Sequence, residues 1–201
     1  MQRDSDDGSV VGVSKSAILG RAATYKDLQK VPDGLKAEIL EGDLWVSPHP
    51  APRHQHVAMR LSIELGPPFQ DGRGGPGGWY LLYEPELHFN GDVLVPDLAG
   101  WRCDRNLKLM ERSHITDWPD WVCEIISKST ETIDRGLKLR IYARSGVRYL
   151  WFLDPLKRRL EVMKLAAGAW QPILDVKDDS VAVAEPFDVL PFSLARLWPD
   201  V

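Results

Sequence analysis

The spacing of apolar and polar residues changes several times along the chain, and each change predicts an element. Residues 1–20 (MQRDSDDGSVVGVSKSAILG) have no period and read as a flexible N-terminal tail. Thr24, with Asp27 three residues on, predicts an N-cap and a short helix through about Lys30. Ala37, Ile39 and Leu40 lie on one side of Glu41-Gly42-Asp43, and Leu44, Trp45 and Val46 on the other. That arrangement predicts an N-terminal β-hairpin over Lys36–Ser47. Glu38 alternates with apolar neighbours there, which fits a solvated strand face or a side chain aimed at a site. Beyond Pro48 and Pro52, Val57, Leu61 and Leu65 recur at i, i+4 and i+8 and predict a helix from about Arg53 to Leu65. Residues 66–78 (GPPFQDGRGGPGG) read as a flexible surface loop and lack the Gly-Lys-Ser/Thr of a phosphate-binding loop.

From Trp79 to Trp101 the pattern is that of consecutive strands: WYLLYE, then ELHF, then a tight turn at Asn90-Gly91-Asp92 into VLVPDLAGW. Pro96 predicts a bulge or bend that re-aims the next side chain, Asp97. Glu84 and Glu86 share strand parity, which predicts an acidic face. Residues 102–120 form a polar connection with one helical turn near Asn106–Glu111. Trp121–Ile126 is an almost unbroken apolar run, as in a strand buried on both faces, and Glu124 interrupts it. Ser127–Thr130 supply capping hydroxyls for a helix from about Glu131 to Ser145, stopped by Gly146. On that helix Ile133, Leu137 and Ile141 form an apolar stripe. Asp134, Lys138 and Tyr142 form a second stripe, about 100° round the axis and therefore close to the core. A buried strand over Val147–Asp154, a C-terminal hairpin about Gly168 and a short helix over Pro191–Trp198 complete the pattern.

A chain of 201 residues with 44% hydrophobic content can build a full core, and residues 21–201 read as a single domain. The formal charge of -4 argues against a strongly basic nucleic-acid binder, although lysines and arginines cluster at 135–148 and 157–164. Cys103 and Cys123 offer no disulfide framework and no metal-knuckle spacing, which suits a reducing compartment. No apolar run reaches the roughly 18 residues of a membrane span, and no signal-peptide core is visible. A cytoplasmic protein without a membrane partner is expected.

Three charged residues lie where charge is costly: Asp97 after Val93-Leu94-Val95-Pro96, Glu124 inside an apolar strand, and Lys138 on the following helix. Phosphodiester hydrolysis needs an ion to polarise phosphate and acidify water, and Mg2+ takes oxygen ligands from one or two carboxylates. The trio supplies that inventory. Asp134 with Lys138 is equally an i,i+4 ion pair. His54 and His56, two apart on a helix, face different ways and make a poor metal pair, so only His54 is a candidate ligand contact.

The ordered set Val95-Pro96-Asp97, then Glu124 between apolar residues, resembles the PD-(D/E)xK nuclease superfamily. More specifically it resembles the Uma-type family of bacterial restriction endonucleases. That family's E-x-x-(D/E)-G hairpin is matched by Glu38–Gly42, its H-Q helix start by His54-Gln55, and its E-x-x-S segment by Glu124–Ser127. D-x-x-x-K-x-x-x-Y is matched by Asp134, Lys138 and Tyr142, and the W-x-x-D-P ending by Trp151–Pro155. The resemblance covers about residues 24–198. It implies an α/β (α+β) fold with a restriction-endonuclease-like core, in which a mixed central β-sheet is flanked by helices and accompanied by the N-terminal and C-terminal hairpins. Asp97 and Glu124 would be catalytic metal ligands, with Glu84 a further one and Glu86 the alternative. Ile126 stands where the family's D/E-x-K motif has lysine, so Lys138 would be a migrated catalytic lysine. Glu38, His54, Asp134 and Tyr142 would support the site or contact substrate. The implied function is a Mg2+-dependent endonuclease on DNA, with Mn2+ as a substitute, acting as a homodimer. Two alternatives stay open: a catalytically weak or inactive nucleic-acid-binding or regulatory module on the same fold, and a purely structural trio in which Glu124 and Lys138 pair in the core.

Overall fold

Where the chain reverses most tightly, the sequence supplies residues that tolerate a left-handed backbone. Glu41 and Gly42 take φ of 53° and 84°, the turn that matches the natural twist of two antiparallel strands. A computed structural model describes residues 14–15, 21–105, 107–111 and 113–199. The expected tail lies outside the described residues except for β1 (Ser14–Lys15), which pairs with the first hairpin. α1 (Tyr25–Leu28) begins as expected: the Asp27 carboxylate accepts the backbone N–H and the hydroxyl of Thr24 at 3.0 and 2.6 Å. The hairpin follows as β2 (Leu35–Leu40) and β3 (Asp43–Pro48). Next comes α2 (Pro52–Leu65), which buries Val57, Ala58, Leu61 and Leu65.

The glycine- and proline-rich stretch is not wholly loop. Gly66–Gln70 continues α2 as a π-helical turn, because Phe69 buries its ring 4.7 Å from that of Phe187. β4 (Trp79–Tyr83), β5 (Leu87–Phe89), β6 (Asp92–Leu94) and β7 (Leu98–Arg102) follow. Here two expectations are corrected. VLVPDLAGW is not one bent strand: β6 belongs to a five-stranded sheet ordered β1-β3-β2-β6-β5, whereas β7 belongs to a six-stranded sheet. Val95–Asp97 carries the chain from one sheet to the other, at a proline that has no N–H to give a ladder. Glu84 and Glu86 do not share a face either, because Glu84 turns the corner between the sheets with φ of 45°.

β8 (Trp121–Ile125) is buried along its whole length. A helix in three parts then runs from α3 (Glu131–Ile133) through a π-helical turn (Asp134–Lys138) into α4 (Leu139–Arg144), and Gly146 at φ of 76° ends it. β9 (Tyr149–Asp154) lies parallel to β8, the one crossover that makes the sheet mixed. The C-terminal hairpin, β10 (Arg159–Ala166) and β11 (Ala169–Lys177), extends that sheet to the order β11-β10-β9-β8-β7-β4. The expected last helix instead begins as strand: β12 (Val181–Ala182) pairs with β13 (Phe192–Ser193) before a 3-10 turn over Leu194–Arg196.

Both faces of the six-stranded sheet are covered, which explains why β8 reads as continuous apolar sequence. Cys123, Ile125, Trp151 and Leu153 face α2 and the C-terminal residues Phe187, Leu194 and Leu197. Val122, Leu150 and Phe152 face Ile133, Ile141 and Tyr142, together with Leu40 and Leu94 of the other sheet. Glu124 has the parity of Val122. Its carboxylate therefore emerges on the side where the two sheets and the three-part helix meet.

Candidate active site

Leu98 of β7 stands opposite Cys123 of β8, and continuing that register outward brings Asp97 alongside Glu124. Both carboxylates are buried, as are Glu38, Asp134 and Lys138. β2 contributes Lys36 and Glu38, two residues apart and so on one face of the strand. The π-helical turn contributes Asp134 and Lys138; a π turn inside a helix is a frequent companion of functional sites. These six residues, with His54 from the first turn of α2, line one cavity of about 360 Å3. The segment 47–51, Ile125, Ser127, Ser129 and Thr130 form its remaining wall.

The Lys138 ammonium is surrounded. Its Nζ lies 3.0 Å from Glu38 Oε1, 3.2 Å from Glu124 Oε1 and 3.4 Å from Asp134 Oδ1. The Tyr142 hydroxyl donates to Glu124 Oε1 at 2.5 Å, and the Val95 N–H donates to Glu38 Oε1 at 2.8 Å. The second bond ties the segment crossing between the sheets to β2. Asp97 has its own set of partners. Oδ2 accepts the Ile125 N–H at 2.6 Å and faces His54 Nε2 at 3.2 Å, while Lys36 Nζ stands 3.7 Å from Oδ1.

These surroundings drive the two central carboxyls apart. Burial pushes Glu124 up to about 8, and neighbouring Asp134 and Asp97 add to the rise although Lys138 opposes it. Burial also acts on Asp97, but Lys36, His54 and the Ile125 N–H outweigh it and hold that carboxyl at about 2. Asp134 is raised chiefly by burial. For Lys138, burial is overcome by Glu124, Glu38 and Asp134, and the ammonium is held well above the usual lysine range.

The donor set suits a hard divalent cation. Glu38, Asp97, Glu124 and Asp134 share the cavity with two ammonium groups, Lys36 and Lys138, and with the His54 imidazole, so full ionisation of the four carboxyls would exceed the two ammonium charges by two. His54 Nδ1 is buried without a hydrogen-bond partner among the described residues. Among those residues no three His, Cys, Asp or Glu side chains already stand as a cage for an ion. A hard divalent cation such as Mg2+ takes one or two protein carboxylates and keeps waters and substrate oxygens as its other ligands. Asp97 and Glu124 would hold it.

Residues 22–195 match the family model Uma2, described as "Putative restriction endonuclease". The chain belongs to the Uma2 family. Among solved structures it resembles one described as a "putative nuclease belonging to DUF820" from Anabaena variabilis, at a TM-score of 0.69 and 18% identity. The match covers 88% of this chain and 97% of that one, and it bears on the fold. A comparison with curated proteins found no match.

In this Uma2 chain Asp97, Glu124, Lys138, Glu38, Asp134 and His54 come together at one cavity. Tyr142 stands behind it, bonded to Glu124. Glu84 is not on the cavity wall; its backbone N–H donates to the Asp97 carbonyl at 3.0 Å. Glu86 accepts from the Tyr25 hydroxyl at 2.8 Å and pairs with His88. The pair Asp134/Lys138 is both the i,i+4 ion pair and part of the cavity wall. Lys36 was not anticipated. Its spacing from Glu38 was the available signal, since residues at i and i+2 of a strand share a face.

Proposed function

We propose that this protein is a divalent-metal-dependent endonuclease that hydrolyses phosphodiester bonds in DNA, with Mg2+ as the resident ion and Mn2+ able to replace it. The observation that carries this reading is the pairing of Asp97 and Glu124, brought side by side from adjacent strands on the wall of one cavity. When bound, the ion would polarise a phosphate oxygen and lower the pKa of an attacking water. Asp97, kept ionised by the Ile125 N–H, His54 and Lys36, is a ready anionic ligand. Glu124 is oriented by Tyr142 and Lys138 so that its carboxylate edges the cavity. Lys138 offsets the mutual repulsion of three carboxylates and so permits them to share a small volume. Membership of a family described in terms of restriction endonucleases supports nucleic acid as substrate. Two sites related by a two-fold axis would cut both strands of a duplex in one encounter, so the reading extends to a homodimer. Free Cys103 and Cys123 suit a reducing, cytoplasmic setting. Among the described residues no helix is long and apolar enough to cross a membrane.

One observation favours a second reading: the Lys138 ammonium already sits among three carboxylates, as a structural core cluster would have it. The test incubates purified protein with supercoiled plasmid in Mg2+, Mn2+ or EDTA, beside Asp97→Asn. We expect metal-dependent nicking or linearisation, lowered about 1,000-fold by the substitution, a loss of roughly 4 kcal/mol of transition-state stabilisation. Cleavage that survives Asp97→Asn unchanged would end the proposal. A folded protein that neither cleaves nor binds Mg2+ would support the structural reading.

A further inference from the structure

The two lysines on the cavity wall are in opposite situations. An ammonium carries three N–H donors. Lys138 faces three carboxylates and is only 3% exposed, so its donors have acceptors within the protein. Lys36 has one charged partner among the described residues, the Asp97 carboxylate at 3.7 Å, which is beyond hydrogen-bond reach. Its side chain is nonetheless only 16% exposed and belongs to the wall of the cavity. A largely buried cation with unfilled donors, beside a carboxylate that it neutralises, wants an anionic acceptor. It lines the cavity that Asp97 and Glu124 share.

We propose that Lys36 is the residue that contacts the phosphate of the bound nucleic acid in this cavity, and that Lys138 instead positions the carboxylates. The assignment rests on the nuclease reading above for the identity of the anion. β2 fixes it geometrically: Lys36 and Glu38 project to one side of the strand, Glu38 reaches Lys138, and Lys36 reaches the Asp97 end of the site. A phosphodiester seated against Asp97 would have one oxygen beside this ammonium, which would stabilise the negative charge that builds as water adds to phosphorus.

The experiment measures two things on wild type, Lys36→Met and Lys36→Arg. The first is plasmid cleavage in Mg2+. The second is binding of a fluorescent duplex oligonucleotide in Ca2+ across a salt series, with strand integrity checked on a gel. Lys36→Met is expected to cleave at least about 100-fold more slowly and to lose about 0.9 from the slope of log affinity against log salt, the value of one phosphate contact. Lys36→Arg is expected to keep the wild-type slope. An unchanged slope in folded Lys36→Met overturns the assignment even if cleavage falls, because an effect exerted only through Asp97 would leave the salt slope alone. A wild type that binds with the predicted slope change but never cleaves would keep Lys36 as a phosphate contact and remove the nuclease reading. A wild type that does neither overturns both. If Lys36→Met does not fold, Lys36→Gln replaces it in the same two measurements.

Discussion

Lys138 is the residue on which the local electrostatics turn. Without it, Glu38, Glu124 and Asp134 would share the space around one point with no counter-charge in contact. Removing one partner of a buried ionic cluster costs about 3–5 kcal/mol, because the remaining charges stay desolvated. Lys138→Met should lose about that much at pH 9 in urea unfolding, where Glu124 is ionised. The deficit should narrow as pH falls below about 8, where this carboxyl takes up a proton. The same residue shows how far single positions could be read from sequence. Lys138 stands out because charge is rare on a core-facing stripe, and Asp97 and Glu124 stand out because carboxylates are rare after or inside apolar strands. Lys36 does not stand out, because a lysine near the start of a hairpin strand is ordinary on a solvated face.

At the scale of elements, the three-part helix delivers Asp134 and Lys138 to the site, and Gly146 ends it. Gly146 takes φ of 76°, and an added Cβ there would meet nothing within 4 Å. The cost of a side chain is therefore conformational alone, about 1–2 kcal/mol. Gly146→Ala should lower the unfolding free energy measured in urea by that amount while leaving Mg2+ affinity at wild-type level in calorimetry, since the Asp97 and Glu124 strands do not depend on it. Element identity was largely legible: both hairpins, α2, β8 and the stop at Gly146 follow from period and turn chemistry. Where elements join was less so. Pro96 signals a break in the ladder, but whether the chain bends within a sheet or leaves for another depends on which neighbours complete the two sheets.

For the whole molecule, two sets of carboxyls predict opposite pH limbs. Asp154, Asp175, Glu41 and Glu185 are lowered in the fold; for Asp175, Glu41 and Glu185 the leading cause is a hydrogen bond from a basic side chain, and for Asp154 backbone and lysine bonds outweigh burial. A lowered carboxyl contributes stability that is present above its unfolded pKa and lost as pH falls. Glu124, raised from 4.5 to about 8, acts the other way. Between those values the folded state binds more protons than the unfolded one, so stability falls as pH rises. Metal-free protein should therefore be most stable in mildly acidic solution, and Glu124→Gln should flatten the alkaline limb. Thermal melts from pH 4 to pH 9 in EDTA check this. Added Mg2+ should raise the melting temperature most at the alkaline end, because a ligand that binds only the folded state stabilises it and the ionised carboxylates bind it best.

The sequence by itself determined most of the elements and the residues whose charge the core would have to accommodate, because period, turn residues and misplaced charge are local properties of the chain. It also determined the family, because an ordered set of motifs survives in one dimension. The tertiary structure alone decided that β6 and β7 lie in different sheets, that Glu38 and Lys36 turn inward rather than to solvent, and that Asp97 and Glu124 meet from adjacent strands. It also decided which lysine is saturated by carboxylates and which is left facing the cavity. Those outcomes depend on strand register and on which layers cover which faces, relations between residues 57, 61 or 100 positions apart that no local pattern encodes.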